Sequence, residues 1–267
     1  MGSLTTDTLT EAVLREHLTT EKIGKLVHYF PSLDSTNIVC KELAEKGEPH
    51  GTLVLADTQT RGRGRLGRTW FSPSGGLWFS LILRPNEMRV SPAHLTFLAG
   101  LALAQACSKN GVNVSLRWPN DLFIGNKKVG GILTESKGNG SNFDYFILGV
   151  GLNINLEESV FPTQLKDEAT SLLIEKKELI LRAPFLAYTL FLFEKLLTSI
   201  YPKQGFAPIL KLWKKYATFL GTPVRVDTST ESIEGEAVDV TLTGALAVQD
   251  IDGIIHEISC GDVRKLW

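Results

Sequence analysis

The chain has 267 residues, of which 43% are hydrophobic and 21% charged, and its formal net charge at pH 7 is −1. This composition is typical of a soluble globular protein, excludes disordered and fibrous classes, and suffices for one large core and a small second domain. No segment has the roughly 18 consecutive apolar residues of a membrane span, and the start lacks the features of a secretory signal, so we expect a cytoplasmic protein without a membrane partner.

The first two thirds of the chain alternate predicted strands with helices whose ends the sequence marks. Asp34, Ser35 and Thr36 offer capping side chains to a helix over 38–46, which places Ser35, Thr36 and Asn37 at a helix N-terminus. Further helices are predicted at 10–18, from Pro92 to about 110, at 183–201 and at 209–219. Strands are predicted at 23–30, 52–56, 77–83, 112–118, 122–124, 128–135 and 143–155.

The character of the chain changes after the turn Gly221-Thr222-Pro223. Short strands then alternate with polar turns, which predicts a small, barrel-like, all-β domain over 221–267 behind a larger part over 1–220. The hairpin signal Gly125-Asn126-Lys127 favours antiparallel pairing in the larger part. The predicted fold class is therefore α+β, with a mixed and mainly antiparallel sheet flanked by helices.

The segment 61–68 puts four arginines and three glycines into eight positions. Like charges this close repel one another, and the glycines make the loop costly to order, so ordinary packing does not explain the segment. A mobile loop that closes over an anionic ligand does explain it. The alternatives are a solvated basic turn and a nucleic-acid patch, although the near-neutral net charge argues against DNA or RNA as the main partner.

Three other clusters are each ambiguous when taken alone. Residues 35–37 fit a helix cap as well as a ligand site. Asp121 and Lys128, which a hairpin brings together, fit either a plain cross-strand ion pair or a charged site. The glycines of 149–153 lie inside an apolar strand, where they mark either a bulge or the close approach of a ligand.

Cysteine usage predicts neither a disulfide framework nor a metal site. Cys40, Cys107 and Cys260 are odd in number, widely spaced and never arranged as Cys-x-x-Cys. All three are therefore predicted to be buried thiols.

The order of the clusters resembles the biotin protein ligase (holocarboxylase synthetase) family. Its members carry Ser-Thr-Asn, then Gln-x-x-Gly-Arg-Gly-Arg-x-Gly-Arg-x-Trp, then Lys-Trp-Pro-Asn-Asp with a later Lys-x-x-Gly-Ile-Leu, then Gly-x-Gly-x-Asn. The chain has matching residues in this order, with Gly-Asp-Val at 261–263 near its end. It departs from the family in having Arg117 in place of lysine, and we assign Arg117 no catalytic role. Only about 30 residues precede the match, where repressor members carry a DNA-binding domain, so we expect no DNA partner.

The resemblance implies a class II synthetase-like catalytic domain over 1–220 and an SH3-like barrel over 221–267. It implies a ligase that makes biotinyl-5′-AMP from biotin and ATP, with Mg²⁺ accompanying ATP, and transfers biotin to a lysine of a biotin carboxyl carrier protein domain. No prosthetic group and no dedicated metal site are implied. Whether the protein forms a homodimer is left open.

The resemblance also implies roles for individual residues. Lys128 and Arg65 would stabilise developing charge, and Asp121 would take the proton from the acceptor lysine. Trp70 would stack on adenine, and the glycines would let the ligand lie against bare backbone. The residues implied to bind biotin are Ser35, Thr36, Asn37, Gln59, Arg63, Gly64, Arg65, Lys128, Gly131, Gly149 and Gly151. Those implied to bind ATP or the adenylate are Arg65, Arg68, Trp70, Asn120, Lys128 and Asn153.

Two other functions are compatible with parts of the sequence. A lipoate or octanoate ligase of the same superfamily would need a long apolar tunnel for an acyl chain. A non-catalytic nucleotide- or nucleic-acid-binding module would use the arginine loop and the small β domain without chemistry.

Overall fold

A computed structural model of the chain describes residues 7–88, 90–139 and 142–266. Its central element is a seven-stranded sheet. The strands are β1 Val27–Leu33, β2 Leu53–Gln59, β3 Leu77–Leu83, β4 Ser115–Arg117, β5 Asp121–Ile124, β6 Lys127–Asn139 and β7 Asn142–Leu152. They lie in the order β1-β2-β3-β7-β6-β5-β4, with β1 parallel to β2 and the other neighbours antiparallel. The expected mixed and mainly antiparallel sheet is confirmed.

Helices cover both faces of this sheet. They are α1 Glu11–His17, α2 Thr36–Glu45, α3 Pro92–Lys109, α4 Leu172–Lys176, α5 Arg182–Lys195, α6 Tyr201–Gln204 and α7 Ala207–Lys214. The largely apolar α3 packs between the sheet and helices α5 and α7, and forms the main core with them. On the opposite face α2 packs on β2, β3 and β7, where Cys40 and Ala44 join Val54, Ile82 and Ile147 in a smaller core. Every residue of β3 is buried, as its run of apolar residues predicts.

Two predicted strands begin three or four residues later than expected, in each case because residues at their predicted start make other hydrogen bonds. The strand predicted at 23–30 begins at Val27, since the Glu194 carboxylate accepts hydrogen bonds from the backbone N–H groups of 21–23. The strand predicted at 112–118 is confined to Ser115–Arg117, since the N–H of Val112 still bonds to the end of α3. Such non-local or end-of-helix partners are not visible in a local sequence pattern.

The helical run Arg182–Gln204 is long and apolar enough to cross a membrane by length and composition, with a mean hydropathy of 1.3 over its most apolar window. Half of that window is buried inside the protein. Phe185, Leu186, Leu190 and Phe193 belong to the main core. Burial in the core therefore accounts for the apolar composition of this helix. A buried core helix can be as long and as apolar as a membrane-spanning one.

The C-terminal residues form a separate, wholly antiparallel sheet. Its strands are β8 Pro223–Asp227, β9 Ser232–Val240, β10 Leu246–Gln249, β11 Ile255–Ile258 and β12 Asp262–Lys265, in the order β11-β10-β9-β8-β12. Within the described residues no pairing joins β11 to β12, so the SH3-like barrel stays a prediction, as does the domain boundary at 220. This sheet contacts the larger part through Trp118 Nε1, which donates to the Gly244 carbonyl at 2.9 Å, and His94 Nε2, 3.0 Å from the Leu242 carbonyl.

The cysteines differ in their environment. Cys40 and Cys107 are buried, and burial raises the pKa of both thiols. Cys260 is exposed, just before β12, so the prediction that all three thiols are buried is wrong at this position. It lies in the turn between β11 and β12, where Arg65 Nη2 donates to its Sγ at 3.3 Å.

Candidate active site

A cavity of about 870 Å³ opens where the arginine loop, the N-terminus of α2 and the central strands of the large sheet meet β12. The residues that the sequence singled out all lie on its wall. They are Ser35, Thr36, Asn37, Gln59, Arg63, Gly64, Arg65, Arg68, Trp70, Asn120, Asp121, Lys128, Gly131, Gly149, Gly151 and Asn153. Within the ranges that the structure describes, no group of three or more His, Cys, Asp and Glu side chains could hold a metal ion.

The N-terminus of α2 is held by a side chain from a neighbouring strand and not by its own cap. Ser35 occupies the cap position, but its side chain makes no capping hydrogen bond, so the capping role expected for it is wrong. Instead Gln59 Oε1, at the end of β2, accepts from the backbone N–H of Thr36 at 2.8 Å and from Thr36 Oγ1 at 3.2 Å. Gln59 Nε2 donates to Ser72 Oγ at 2.8 Å. These bonds fix the Gln59 amide and the hydroxyl of Thr36 as a rigid polar wall.

Asn37 is engaged on both ends of its amide by the protein itself. Its Oδ1 accepts from Ser80 Oγ at 2.6 Å, and its Nδ2 donates to Glu135 Oε2 at 2.6 Å. A Cβ at Gly149 would lie only 2.0 Å from Asn37 Oδ1. Gly149 therefore makes room for Asn37. The role that the resemblance implies for it, a close approach of biotin to bare backbone, stays a prediction.

Trp70 lies against the backbone of the neighbouring strands. A Cβ at Gly151 would lie 2.4 Å from Trp70 Nε1, so this second glycine also accommodates a side chain of the protein. The indole N–H of Trp70 is buried with no hydrogen-bond partner among the described residues. At Gly131 a Cβ would meet nothing closer than 3.5 Å, which leaves Gly131 as the glycine of the three with space beside it.

The β5–β6 hairpin forms the charged wall of the cavity. Lys128 Nζ lies 2.6 Å from Asp121 Oδ2, and both side chains are about three-quarters buried, with exposed fractions of 31% and 23%. Asp121 Oδ1 is buried and has no hydrogen-bond partner within the described part of the chain. Of the two alternatives drawn from the sequence, a plain surface ion pair does not account for an unpaired carboxylate oxygen in a cavity wall, and a charged site does.

The arginine loop is a small hairpin. Arg63 bridges Thr69, and the N–H of Gly64 donates to the Arg68 carbonyl at 2.8 Å. At its tip Leu66 has a φ of 56°, in the left-handed region that non-glycine residues rarely adopt, and its side chain is 72% exposed. Backbone strain of this kind concentrates at functional sites, which agrees with a loop that binds a ligand.

The C-terminal sheet holds the two arginines of this loop. Arg65 Nη1 donates to Asn120 Oδ1 at 3.1 Å and to the Gly261 carbonyl at 3.2 Å, and lies 3.5 Å from Asp262 Oδ1. Arg68 pairs with the other oxygen of Asp262. Nothing in the local pattern around Gly-Asp-Val at 261–263 indicates that this segment reaches a loop almost two hundred residues away.

The segment that follows β7 also closes the cavity. Phe161, Leu165, Asp167, Glu168 and Ala169 lie on the wall. Asn153 does not offer a free amide to a ligand, because it is buried and its Nδ2 donates to the Thr170 carbonyl at 2.9 Å. The backbone of Lys128 pairs with the same segment, since its N–H donates to the Glu168 carbonyl at 2.7 Å.

Arg117 also lines the cavity, although no role was expected for it. Its guanidinium lies over the Phe123 ring, with Cζ 3.6 Å from the ring centroid. Burial lowers the pKa of Arg117.

Comparison with known proteins agrees with this assembly. Residues 29–153 match the family described as Biotin/lipoate A/B protein ligase, and residues 219–266 match the Biotin protein ligase C terminal domain. The chain is 40% identical over 248 residues to the bifunctional ligase/repressor BirA of Bacillus subtilis, which covers 92% of this chain and 76% of the relative. It is 32% identical to the biotin–[acetyl-CoA-carboxylase] ligase of Paracoccus denitrificans, over 81% of this chain and 91% of that protein.

Solved structures of biotin protein ligases also resemble this chain. The biotin protein ligase from Aquifex aeolicus in complex with biotin and ATP has a TM-score of 0.78 to this chain at 30% sequence identity, and covers 90% of this chain and 99% of that one. The likeness extends across both sheets, and the ordered motifs, the cavity and the two matched family regions agree. On this evidence the chain belongs to the biotin protein ligase family.

Proposed function

We propose that the chain is a biotin protein ligase that activates biotin with ATP to biotinyl-5′-AMP, releases pyrophosphate, and transfers biotin to a lysine of a biotin carboxyl carrier domain. The observation that carries the proposal is a single cavity that has a neutral polar wall at Thr36 and Gln59 and a cationic wall at Arg65, Arg68 and Lys128. The uncharged ureido ring of biotin suits the first wall, since fixed donors and acceptors orient such a group. The carboxylate and the phosphates suit the second.

In the first half-reaction two anions must approach each other. The biotin carboxylate attacks the α-phosphorus of ATP, and positive charge is needed to lower their repulsion and to stabilise the transition state. Lys128 and Arg65 would provide this charge. Their present partners, Asp121 and Asn120, keep both cations oriented before substrate arrives, which reduces the cost of reorganisation during the reaction.

In the second half-reaction the amine of the acceptor lysine attacks the carbonyl of the mixed anhydride, and AMP leaves. A free lysine has a pKa of about 10.4, so a base must take a proton before the amine can react. Asp121 would be that base, because its Oδ1 is buried in the wall without a partner. The same oxygen would fit a Mg²⁺ ion brought in on ATP, which prefers carboxylate oxygens.

The arginine loop would retain the intermediate. Biotinyl-5′-AMP is hydrolysed when water reaches it, so a loop that covers the cavity protects the product of the first step until the carrier domain arrives. Trp70 would face the adenine from the wall of the cavity. A cytoplasmic location and the biotin carboxyl carrier domain as protein partner belong to the same proposal.

The test is transfer of labelled biotin to a purified carrier domain in the presence of ATP and Mg²⁺. We expect labelled carrier, and labelled biotinyl-5′-AMP when the carrier is omitted. A carrier whose acceptor lysine is replaced by arginine is the control and should stay unlabelled. Absence of any adenylate under these conditions would refute the proposal, and use of lipoate or octanoate in place of biotin would favour the sister activity.

A further inference from the structure

Arg117 is a half-buried cation on the cavity wall without a counter-ion. No hydrogen bond or ion pair joins its guanidinium to any residue within the described ranges. Two other cations of the wall each have a carboxylate partner. Lys128 pairs with Asp121, and Arg68 pairs with Asp262.

The position of the Arg117 guanidinium is nevertheless fixed. It stacks on the Phe123 ring at 3.6 Å, and the register of β4 and β5 sets Arg117 opposite Asp121. Asp121 is already committed to Lys128 through Oδ2 at 2.6 Å. Stacking orients the plane of the guanidinium but satisfies none of its N–H donors, so a planar fork is left available to a ligand in the cavity.

A partly buried charge with no partner is unfavourable unless a ligand supplies one. Burial lowers the pKa of Arg117, which reports that cost, although an arginine remains protonated at neutral pH. Arg63, which also lines the cavity, is exposed, so solvent can hydrate its charge. Arg117 therefore points to an anion that belongs to the bound state.

We propose that Arg117 binds the β- and γ-phosphates of ATP and the pyrophosphate that leaves. This inference rests on the proposed function. Lys128 and Arg65 would be engaged by the biotin carboxylate and the α-phosphate, and Arg68 pairs with Asp262, so Arg117 is a half-buried cation of the wall available for the remaining phosphate charge. Its planar guanidinium can donate two parallel hydrogen bonds to two phosphate oxygens. The ammonium group of lysine is a point charge and lacks this bidentate geometry.

The step balances without a proton. A carboxylate oxygen of biotin forms the new bond to the α-phosphorus, and the bond from that phosphorus to the bridging oxygen breaks. The electron pair stays on the bridging oxygen of pyrophosphate. Hydrogen bonds from Arg117 to the departing oxygens stabilise the charge that accumulates there.

The test compares three variants in separate half-reactions. Arg117→Gln removes the charge but keeps a donor, and Arg117→Lys keeps the charge but removes the fork. Lys109→Gln is the matched control, because Lys109 also lies 3.6 Å over an aromatic ring, that of Tyr188, but outside the cavity. The readouts are the KM for ATP, pyrophosphate-driven reversal of preformed biotinyl-5′-AMP, and transfer from preformed adenylate to the carrier domain.

We expect Arg117→Gln to raise the KM for ATP and to weaken pyrophosphate by about 10- to 100-fold, the loss typical of one charge-assisted hydrogen bond or more. Transfer from preformed adenylate should stay within about twofold of the wild type, because the adenylate has no β- or γ-phosphate. Arg117→Lys should fall between Arg117→Gln and the wild type. Lys109→Gln should change none of the readouts.

If Arg117→Gln slows transfer from preformed adenylate as much as it slows adenylate formation, the proposal is wrong. A purely structural role of Arg117, or a contact with acidic residues of the carrier, would lower the rate of transfer as well. An unchanged response to pyrophosphate would also overturn it. The proposed function can fail separately. If the wild type makes no adenylate, calorimetric titration of pyrophosphate into the wild type and Arg117→Gln still measures whether Arg117 binds this anion, and equal affinities would refute it.

Discussion

Gly149→Ala should destabilise the protein and disturb the polar wall of the cavity, although alanine is the smallest possible addition. The new Cβ would lie 2.0 Å from Asn37 Oδ1, so the Asn37 side chain must move by more than an ångström. That movement breaks the hydrogen bonds of Asn37 with Ser80 and with Glu135, both 2.6 Å long in the native protein.

The magnitude follows from these two bonds. A buried neutral hydrogen bond contributes about 1 kcal/mol and one to a carboxylate about 1.5 to 3 kcal/mol, so the loss is about 2.5 to 4 kcal/mol. Alanine also restricts the unfolded chain more than glycine does, which raises the free energy of unfolding by about 0.4 to 1 kcal/mol. We expect the free energy of unfolding to fall by about 2 to 3 kcal/mol, measured by urea denaturation, together with weaker biotin binding in calorimetry.

Gly131→Ala is the matched control for stability. Gly131 lies on the neighbouring strand β6 and faces the same cavity, but a Cβ there would meet nothing closer than 3.5 Å. Its free energy of unfolding should stay within about 0.5 kcal/mol of the wild type. If Gly149→Ala is as stable as Gly131→Ala, the space at Gly149 does not serve Asn37 and our reasoning about this glycine is wrong.

Three further predictions concern the chemistry. Lys128→Ala should slow adenylate formation by about 2 to 4 kcal/mol of activation free energy, since it removes a fixed charge beside the reacting phosphate; single-turnover assays check this, and a rate near that of the wild type contradicts it. Asp121→Asn should slow transfer from preformed biotinyl-5′-AMP at least as much as its formation, because a proton must be removed only in transfer; transfer at the wild-type rate would instead assign Asp121 to magnesium or to structure. Arg65→Gly should still form adenylate but release it into solution, and filtration that separates enzyme-bound from free label detects this release. In the wild-type protein, hydrogen exchange should show that residues 60–70 gain protection when adenylate binds. Equal retention of adenylate, or equal protection, would argue against a closing loop.

The sequence predicted well those features that depend on neighbouring residues. The bounds of β3 agree with expectation, because an unbroken apolar run is a local signal. The candidate site residues were found through the ordered motifs of a family, and their location on one cavity wall agrees with that resemblance.

Features that depend on partners far along the chain were missed. The N-terminus of α2 is satisfied by Gln59 and not by Ser35, and Gly149 is required by Asn37 from a different element. The contact of Asp262 with the arginine loop is of the same kind. A local pattern fixes which elements form, but not which side chains meet once those elements pack.

The contact between Arg65 and Asp262 joins positions 197 residues apart in the chain. The two groups can meet only when the elements that carry them have assembled. Arg65 and Arg68 can therefore reach this carboxylate only when both sheets have folded and docked. A molecule whose C-terminal sheet is cleaved or still unfolded would keep the neutral wall at Thr36 and Gln59 and lose the anchor of its loop. In the proposed function, retention of the reactive intermediate would therefore depend on an intact C-terminal sheet.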